Sequence, residues 1–545
     1  MSTMAEFDLR VGDGAQPRPR IAALPTGRAA FIGRTLRGPV DRPTLVRSFA
    51  EFQQEFGGLW QPSTLAYAVE QFFDSGGREA LVVRVANGAR GATLALPSGR
   101  DARLLLRAVR PGTREFLRAC VDYDNLPAGD PDSFNLTVQR VRTQGSMHVE
   151  DQEIHRALSV SPGSARNVAA ILAGSALVRI AGTVPAARPD RTIDEASGLA
   201  TGYVHSSADG DDGAELCDYD LIGSPQSRSG LFALGDEHYF NFLCIPPLSR
   251  ERDLGSAALL VAARFCRDRR ATLLLDPPAA WGSAEEAIAG VSTWEFSSDA
   301  AAMYFPRLLA YDRLRGRFER FAPCGAVAGM LARRDAQAPV WQEEAGGAEP
   351  VLRPGHKSAC AVSDAERYRL WASGINVLQS VRAPTRHPLR ARTLAPGGAA
   401  DGRDLAQLRT TQFVLNSIER GTRWAAAADA PADAARRVEA EVREFLGDLH
   451  RAGAFADRSV EDAFFVICDA RVNADGAARD RRFDLLIGLA AARIGEFRTW
   501  RIAHTADRSG VRTVTLNRLH DLRFSPEELE WADRLAHRLQ SGSRA

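Results

Sequence analysis

The chain has 545 residues, 45% of them apolar and 25% charged, which excludes wholesale disorder and, being well beyond ~250–300 residues, a single hydrophobic core. Its 69 basic and 68 acidic residues leave a formal net charge of +1, so no molecule-wide field draws it to nucleic acid or an acidic membrane. Lys357 is the only lysine, a bias that reads first as the mark of a GC-rich coding sequence, although arginine also suits bidentate pairing with carboxylates across subunit contacts.

Residues 1–27 are polar and broken by Gly12, Gly14, Pro17, Pro19 and Pro25, so they read as an extended arm. Order is expected from Arg28. Ala29–Gly33 is a short buried strand and Thr44–Arg47 another, and Ser48-Phe49-Ala50-Glu51 has the spacing of a helix cap before a stop at Gly57-Gly58. Leu65, Ala68, Val69 and Phe72 then share one face of a helix over about 64–75, and Ala80–Val85 follows as a strand. This is an α/β pattern.

Between Asn87 and Gly223 short alternating segments take over, clearest at Phe134, Leu136 and Val138, whose period of two marks a half-exposed strand. The stretch reads as a mainly-β insert. Its acidic tract Ser207–Glu215 does not place carboxylates at alternate positions or close with a glutamate, so it reads as a solvated loop rather than a calcium loop.

Strand, helix and strand return at Tyr239–Ile245, Leu254–Asp268 and Thr272–Asp276, the order of a crossover onto a parallel sheet. Ser283 caps the next helix, which Gly290 is expected to end, and Tyr304–Tyr311 and Gly325–Arg334 follow as strand-like and helical. Two long helices, about 405–420 and 431–450, precede apolar runs at Ala463–Cys468, Phe483–Ala490 and Phe497–Ala503, the order of an α+β domain. A strand-like Thr513–Leu516 and a helix opened by Ser525-Pro526-Glu527-Glu528 end the chain.

No nucleophile elbow, phosphate loop, dinucleotide fingerprint or His-Glu-x-x-His pair occurs, and the ten histidines stand singly. The seven cysteines never form a Cys-x-x-Cys pair and read as reduced, largely buried thiols. No cofactor or metal is expected. Asp276 stands at the carboxyl end of a parallel strand, where ligands bind in open α/β sheets, but Pro277-Pro278 makes it read as a rigid strand exit whose carboxylate accepts local hydrogen bonds. Met1–Arg20 lacks the apolar core of a signal peptide, and no run approaches ~18 apolar residues, so synthesis and assembly in the cytoplasm are expected.

Taken in order, Ala29-Ala30-Phe31-Ile32-Gly33, Arg37-Gly38-Pro39, Phe56-Gly57-Gly58, Phe72-Phe73, Cys244-Ile245-Pro246-Pro247, Asp276-Pro277-Pro278, Tyr304-Phe305-Pro306-Arg307, Ala322-Pro323-Cys324-Gly325, Gly374-Ile375-Asn376, Gly421-Thr422 and Ala463-Phe464-Phe465-Val466 resemble the contractile tail sheath family. The likeness is strongest to sheaths of extracellular contractile injection systems and runs from about 29 to 503. Departures at Val340–Gly346 and before Glu496-Phe497 leave open a specialised sheath paralogue at the baseplate or cap end. A subtilisin-like serine hydrolase is the competing reading from another class.

The resemblance implies an α/β core of the kind labelled subtilisin-like (28–87 and 224–394), an inserted mainly-β outer domain (88–223) and an α+β C-terminal domain near an inner tube (395–504). Residues 1–27 form an N-terminal arm, and 505–545 a C-terminal arm and helix. It implies a non-enzymatic subunit that polymerises helically around the tube, contracts, and meets tube, baseplate and tail-terminator or cap proteins, in a phage tail or phage tail-like particle. Terminal arms would link copies by adding strands to a neighbour's C-terminal domain. The helix at 431–450 carries Arg436, Arg437, Glu439, Arg443 and Glu444 beside an apolar stripe. These five are the candidate tube-facing residues.

Overall fold

The computed structural model describes residues 21–514 except 128, 193–201, 343–351, 380–388, 397–402, 429–430, 456–458, 470–471, 474–481, 491–496 and 506–507. Its contacts divide the chain into two compact units. One comprises residues up to Pro25, Pro339–Glu343 and everything from Ala406; the other comprises Thr26–Ala338 and Glu344–Leu405.

The larger unit opens with β1 (Ala29–Gly33), which is wholly buried, and β2 (Thr44–Val46). Helix α1 (Phe49–Phe56) follows, with the Ser48 hydroxyl accepting from the Glu51 amide and Gly57 at φ 88° closing it. Helix α2 (Thr64–Asp74) buries Leu65, Ala68, Val69 and Phe72, and β3 (Ala80–Arg84) lies beside β1 in parallel register. The expected pattern of four residues on one helix face is observed.

The insert contains β4 (Thr93–Ser98), β5 (Ala102–Ala108), β6 (Phe116–Asp122), β7 (Ser133–Val141), β8 (Val149–Ser159), helix α3 (Val168–Leu172), β9 (Val178–Ile180) and β10 (Val204–His205). They form two antiparallel sheets, β4-β5-β9 and β10-β6-β7-β8. Leu94, Leu96, Leu104, Leu117, Phe134, Leu136 and Val138 belong to one buried cluster. Strand β7 is buried on both faces rather than half-exposed, because its polar side is roofed by a ladder of hydrogen bonds. Arg118 Nε donates to Gln139 Oε1 at 2.8 Å, and Gln139 Nε2 donates to Gln152 Oε1.

Past α4 (Asp218–Ile222), the chain adds β11 (Phe242–Cys244), α5 (Ser256–Arg269), β12 (Thr272–Leu275), α6 (Ala284–Thr293) and β13 (Ala301–Phe305). A hairpin of β14 (Leu308–Asp312) and β15 (Arg317–Phe321) follows, then α7 (Cys324–Asp335), β16 (Lys357–Ser358), α8 (Asp364–Ala372) and β17 (Ile375–Val377). The central sheet has the order β17-β13-β12-β11-β1-β3-β2, parallel throughout except for β2 on β3. Strand β11 is shorter than its apolar run because Pro246 and Pro247, just past it, bring no amide donors.

Gly290 does not end α6, which runs on to Thr293. A Cβ there would lie 2.2 Å from Trp281 Nε1, so the glycine admits an indole rather than a turn. Gly325 and Gly329 act likewise on α7, where a Cβ would lie 2.0 Å from the Ala68 carbonyl and 2.3 Å from that of Phe72. Helix α7 therefore meets α2 backbone to backbone.

The smaller unit holds α9 (Leu405–Gly421), α10 (Pro431–Arg451), α11 (Val460–Ala463) and an antiparallel sheet in chain order, β18 (Phe464–Ile467), β19 (Phe483–Leu489), β20 (Arg498–His504) and β21 (Ser509–Val514). The division at 405/406 lies past the expected 394/395, because Leu394 bridges Ser298 and Arg392 bridges Asp404. Ile21 is buried with Val414, Ile418, Val438 and Val442, and the Leu24 amide donates to Ser417 Oγ at 3.2 Å. Residues 21–25, expected within an extended arm, thus pack on this unit. The remainder of that arm and the helix expected after Ser525 lie outside the described residues.

Candidate assembly surface of the C-terminal unit

Helix α10 owes its orientation to an apolar stripe. Ala434, Ala435, Val438, Val442, Phe445, Leu446 and Leu449 are all buried in the unit's core, spaced as one face of a 3.6-residue helix. The opposite side carries the five residues singled out from sequence. Arg436, Arg437, Arg443 and Glu444 are exposed and Glu439 is half-buried.

Arg443, Glu439, Arg437 and Arg436 are all joined to their own unit. Arg443 reaches Glu439 at 3.0 Å and donates to the Val466 carbonyl at 2.9 Å. Arg437 pairs with Glu441 at 2.8 Å and lies over the Trp424 ring at 4.6 Å. Arg436 pairs with Asp433 one turn back, both of them well exposed. Exposed pairs of this kind contribute about 0–1 kcal/mol each, so they can be exchanged for contacts with a partner at little cost.

Beneath the helix the unit contains polar groups that sequence reasoning passed over. Asp484, on β19, is nearly inaccessible and accepts from Arg501 Nη2 at 2.6 Å and Arg482 Nε at 3.0 Å; its one visible signal is a carboxylate inside the run Phe483–Leu489. His504, at the end of β20, is fully buried. Thr422 Oγ1 donates to the Ile418 carbonyl at 2.7 Å and lies 2.8 Å from His504 Nε2, so Nε2 carries the proton and Nδ1 accepts from Ser509 Oγ at 2.7 Å. This network ties α9, β20 and β21 together. Burial pushes the His504 pKa down to about 4 against the opposing charge of Glu419.

The Ser509–His504 contact has the distance of a nucleophile and base, yet the far ring nitrogen meets a hydroxyl rather than an orienting carboxylate. In the larger unit, Asp276 Oδ1 accepts from the Cys324 amide at 2.7 Å, which is the strand-exit role expected of it, and burial raises its carboxyl to about 6. Nearby, a small cavity at the same edge of the sheet is lined by Thr64, Tyr67, Arg250 and Arg307, whose arginines pair with Asp312 and Asp253. In the acidic tract, Asp209 accepts from the Thr93 amide and Asp212 from Thr113, so these carboxylates tie loops together. Among the described residues no group of three His, Cys, Asp or Glu could hold a metal ion, and no helix is long and apolar enough to cross a membrane.

A sheath tail protein of Listeria innocua superposes with a TM-score of 0.57 at 12% identity, over 90% of this chain and 97% of that one. The fold is that of a tail sheath protein. The sheath of an extracellular contractile injection system in its contracted state matches at TM-score 0.48 and 13% identity, over 90% of this chain and 96% of that one. The contracted helical sheath of the anti-feeding prophage matches at 0.46 and 15%, over 91% and 98%. These two superpositions are looser, and the fold assignment rests on the Listeria protein. No family model and no curated protein sequence matches the chain. The sheath fold accounts for a mixed α/β architecture with several sheets.

Proposed function

We propose that the chain is a structural, non-catalytic subunit of a contractile tail sheath, which polymerises helically around an inner tube and contracts to drive it through a target envelope. The observation that carries this reading is the sheath fold spanning nine-tenths of the chain. Partners would be further copies of itself, the tube protein, and baseplate and tail-terminator or cap proteins, in a particle assembled in the cytoplasm.

Contraction in this scheme uses no nucleotide. A trapped extended lattice that gains about 400 Å² of apolar burial per subunit would release roughly 10 kcal/mol before entropic and polar costs. Terminal segments would link copies by adding strands to a neighbour's C-terminal sheet, with main-chain hydrogen bonds as the hinge. The side of α10 bearing Arg436, Arg437, Glu439, Arg443 and Glu444 would face the tube, its weak pairs allowing sliding.

Negative-stain microscopy of the chain co-expressed with its tube protein tests the reading. Long striated tubes are expected; short collars would indicate a specialised paralogue at the baseplate or cap. Stoichiometric labelling of one serine by a serine-directed covalent probe would instead favour a hydrolase.

A further inference from the structure

The β14–β15 hairpin of the larger unit presents an apolar tip that nothing in its own unit covers. Tyr311, Leu314 and Phe318 are 54%, 50% and 59% exposed. Tyr311 and Phe318 sit directly opposite each other across the two strands, their rings edge to face at 5.6 Å. Three large apolar side chains on one tight hairpin form a patch rather than scattered exposure.

The tip is held rigidly from below. Asp312 is fully buried, accepts from the Tyr67 hydroxyl at 3.1 Å and from the amides of Leu314 and Arg315, and pairs with Arg250. The Arg250 guanidinium in turn lies over the Tyr67 and Phe321 rings. A turn fixed by a buried carboxylate loses little freedom on docking, which favours contact. Around the tip stand Arg313, Arg315 and Arg317, facing the carboxylates Glu70 and Glu319. The finger is aromatic, rigid and in positive excess.

Elsewhere in the same unit lies its complement. The segment from Asp209 to Asp220 holds Asp209, Asp211, Asp212, Glu215, Asp218 and Asp220 and no basic residue. At its end Tyr219 is 77% exposed, and the Glu215 side chain, 86% exposed, pairs with Arg252 at 3.4 Å, which leaves the segment in acidic excess. Asp220 and Asp218 are held by the amides of Cys217 and Gly255, so this acidic knob is also fixed in shape.

We infer that the β14–β15 hairpin of one copy of this chain docks on the acidic, tyrosine-bearing segment 215–220 of a second copy. Aromatic and arginine side chains in a desolvated centre dominate such contacts. Two different patches in one contact make it heterologous, the kind that generates rings or open filaments. The inference deepens the sheath reading and rests on it for the expectation that copies meet.

The test uses two variants of the full-length chain, Arg317→Glu/Phe318→Ser on the hairpin and Glu215→Arg/Tyr219→Ser on the acidic segment, in sedimentation velocity at low and high salt. The wild type is expected to self-associate less tightly as salt rises. Each variant alone should lose at least tenfold in association, and an equimolar mixture should regain one contact per pair and sediment as a heterodimer, since one variant keeps an intact hairpin and the other an intact segment. A wild type that stays monomeric, variants that associate as it does, or a mixture without recovery would each overturn the inference. Microscopy separates the two ideas. Normal tubes from both variants would sink the hairpin contact alone, whereas heterodimers on mixing together with a wild type that forms no tubes on its tube protein would sink the sheath reading alone.

Discussion

The polar residues buried in the C-terminal unit should dominate its response to acid and to substitution. His504 has a folded pKa near 4 against about 6.5 unfolded, so the unfolded chain binds more protons between these values. Stability is therefore fully present above pH 6.5 and falls as pH drops toward 4, by about 3 kcal/mol for this group. Urea unfolding at pH 7 and pH 4.5 should display that loss in the wild type and a smaller one in His504→Asn, whose side chain does not titrate. Asp484→Ala should cost about 1.5–3 kcal/mol at pH 7, because it removes the charge-assisted hydrogen bonds of the half-exposed Arg501 and Arg482; a midpoint shift equivalent to less than ~1 kcal/mol would contradict this. Neither residue stood out as a partner in the sequence. A histidine closing an apolar run and an aspartate within one reveal burial, but their companions Thr422, Ser509 and Arg501 come from other elements. The five charges on α10 were legible because helical spacing alone puts them on one side.

At the scale of elements, local chemistry made most helices and strands readable. Ser48 and Ser283 cap the helices their spacing announced, and β1 was recovered residue for residue. Glycines were the systematic ambiguity, since the residue that stops a helix also lets another group approach it. Gly57 does the first, whereas Gly290, Gly325 and Gly329 do the second. In an exposed helix Gly→Ala gains about 1 kcal/mol. Here Gly325→Ala and Gly329→Ala should instead destabilise by about 1–3 kcal/mol through forced separation of α7 from α2, seen as a lowered thermal midpoint. The N-terminal segment invites a matching test. Ile21→Ala should cost about 2–5 kcal/mol through a cavity beside Val414 and Ile418, seen as a lowered urea midpoint. Composition made this segment look like an arm because Ile21 stands among the closely spaced Pro17, Pro19 and Pro25.

At the scale of the whole molecule, the near-zero net charge conceals local opposition, arginine-rich at the β14–β15 hairpin and carboxylate-rich at 209–220. Reversing Arg436 and Arg437 to Glu should lower the stability of the isolated chain by only about 1–2 kcal/mol, since the lost pairs contribute about 0–1 kcal/mol each and the reversed charges would face Asp433 and Glu441. Co-sedimentation with the tube protein should fall sharply, and unchanged binding would remove α10 from the tube contact. The discontinuity of both units was only half visible beforehand, because the strap at 339–343 has no signature beyond Val340 and Trp341.

That strap has a mechanical meaning. The backbone passes between the two units at 25/26, 338/339, 343/344 and 405/406, so traction on one unit reaches the other through several covalent strands in parallel. A single protease cut at any of these points should leave both halves co-migrating on a native gel, the severed end still held by Ile21, by Val340, or by the Trp341 indole on the Ala452 carbonyl. A rope of several plies frays before it parts.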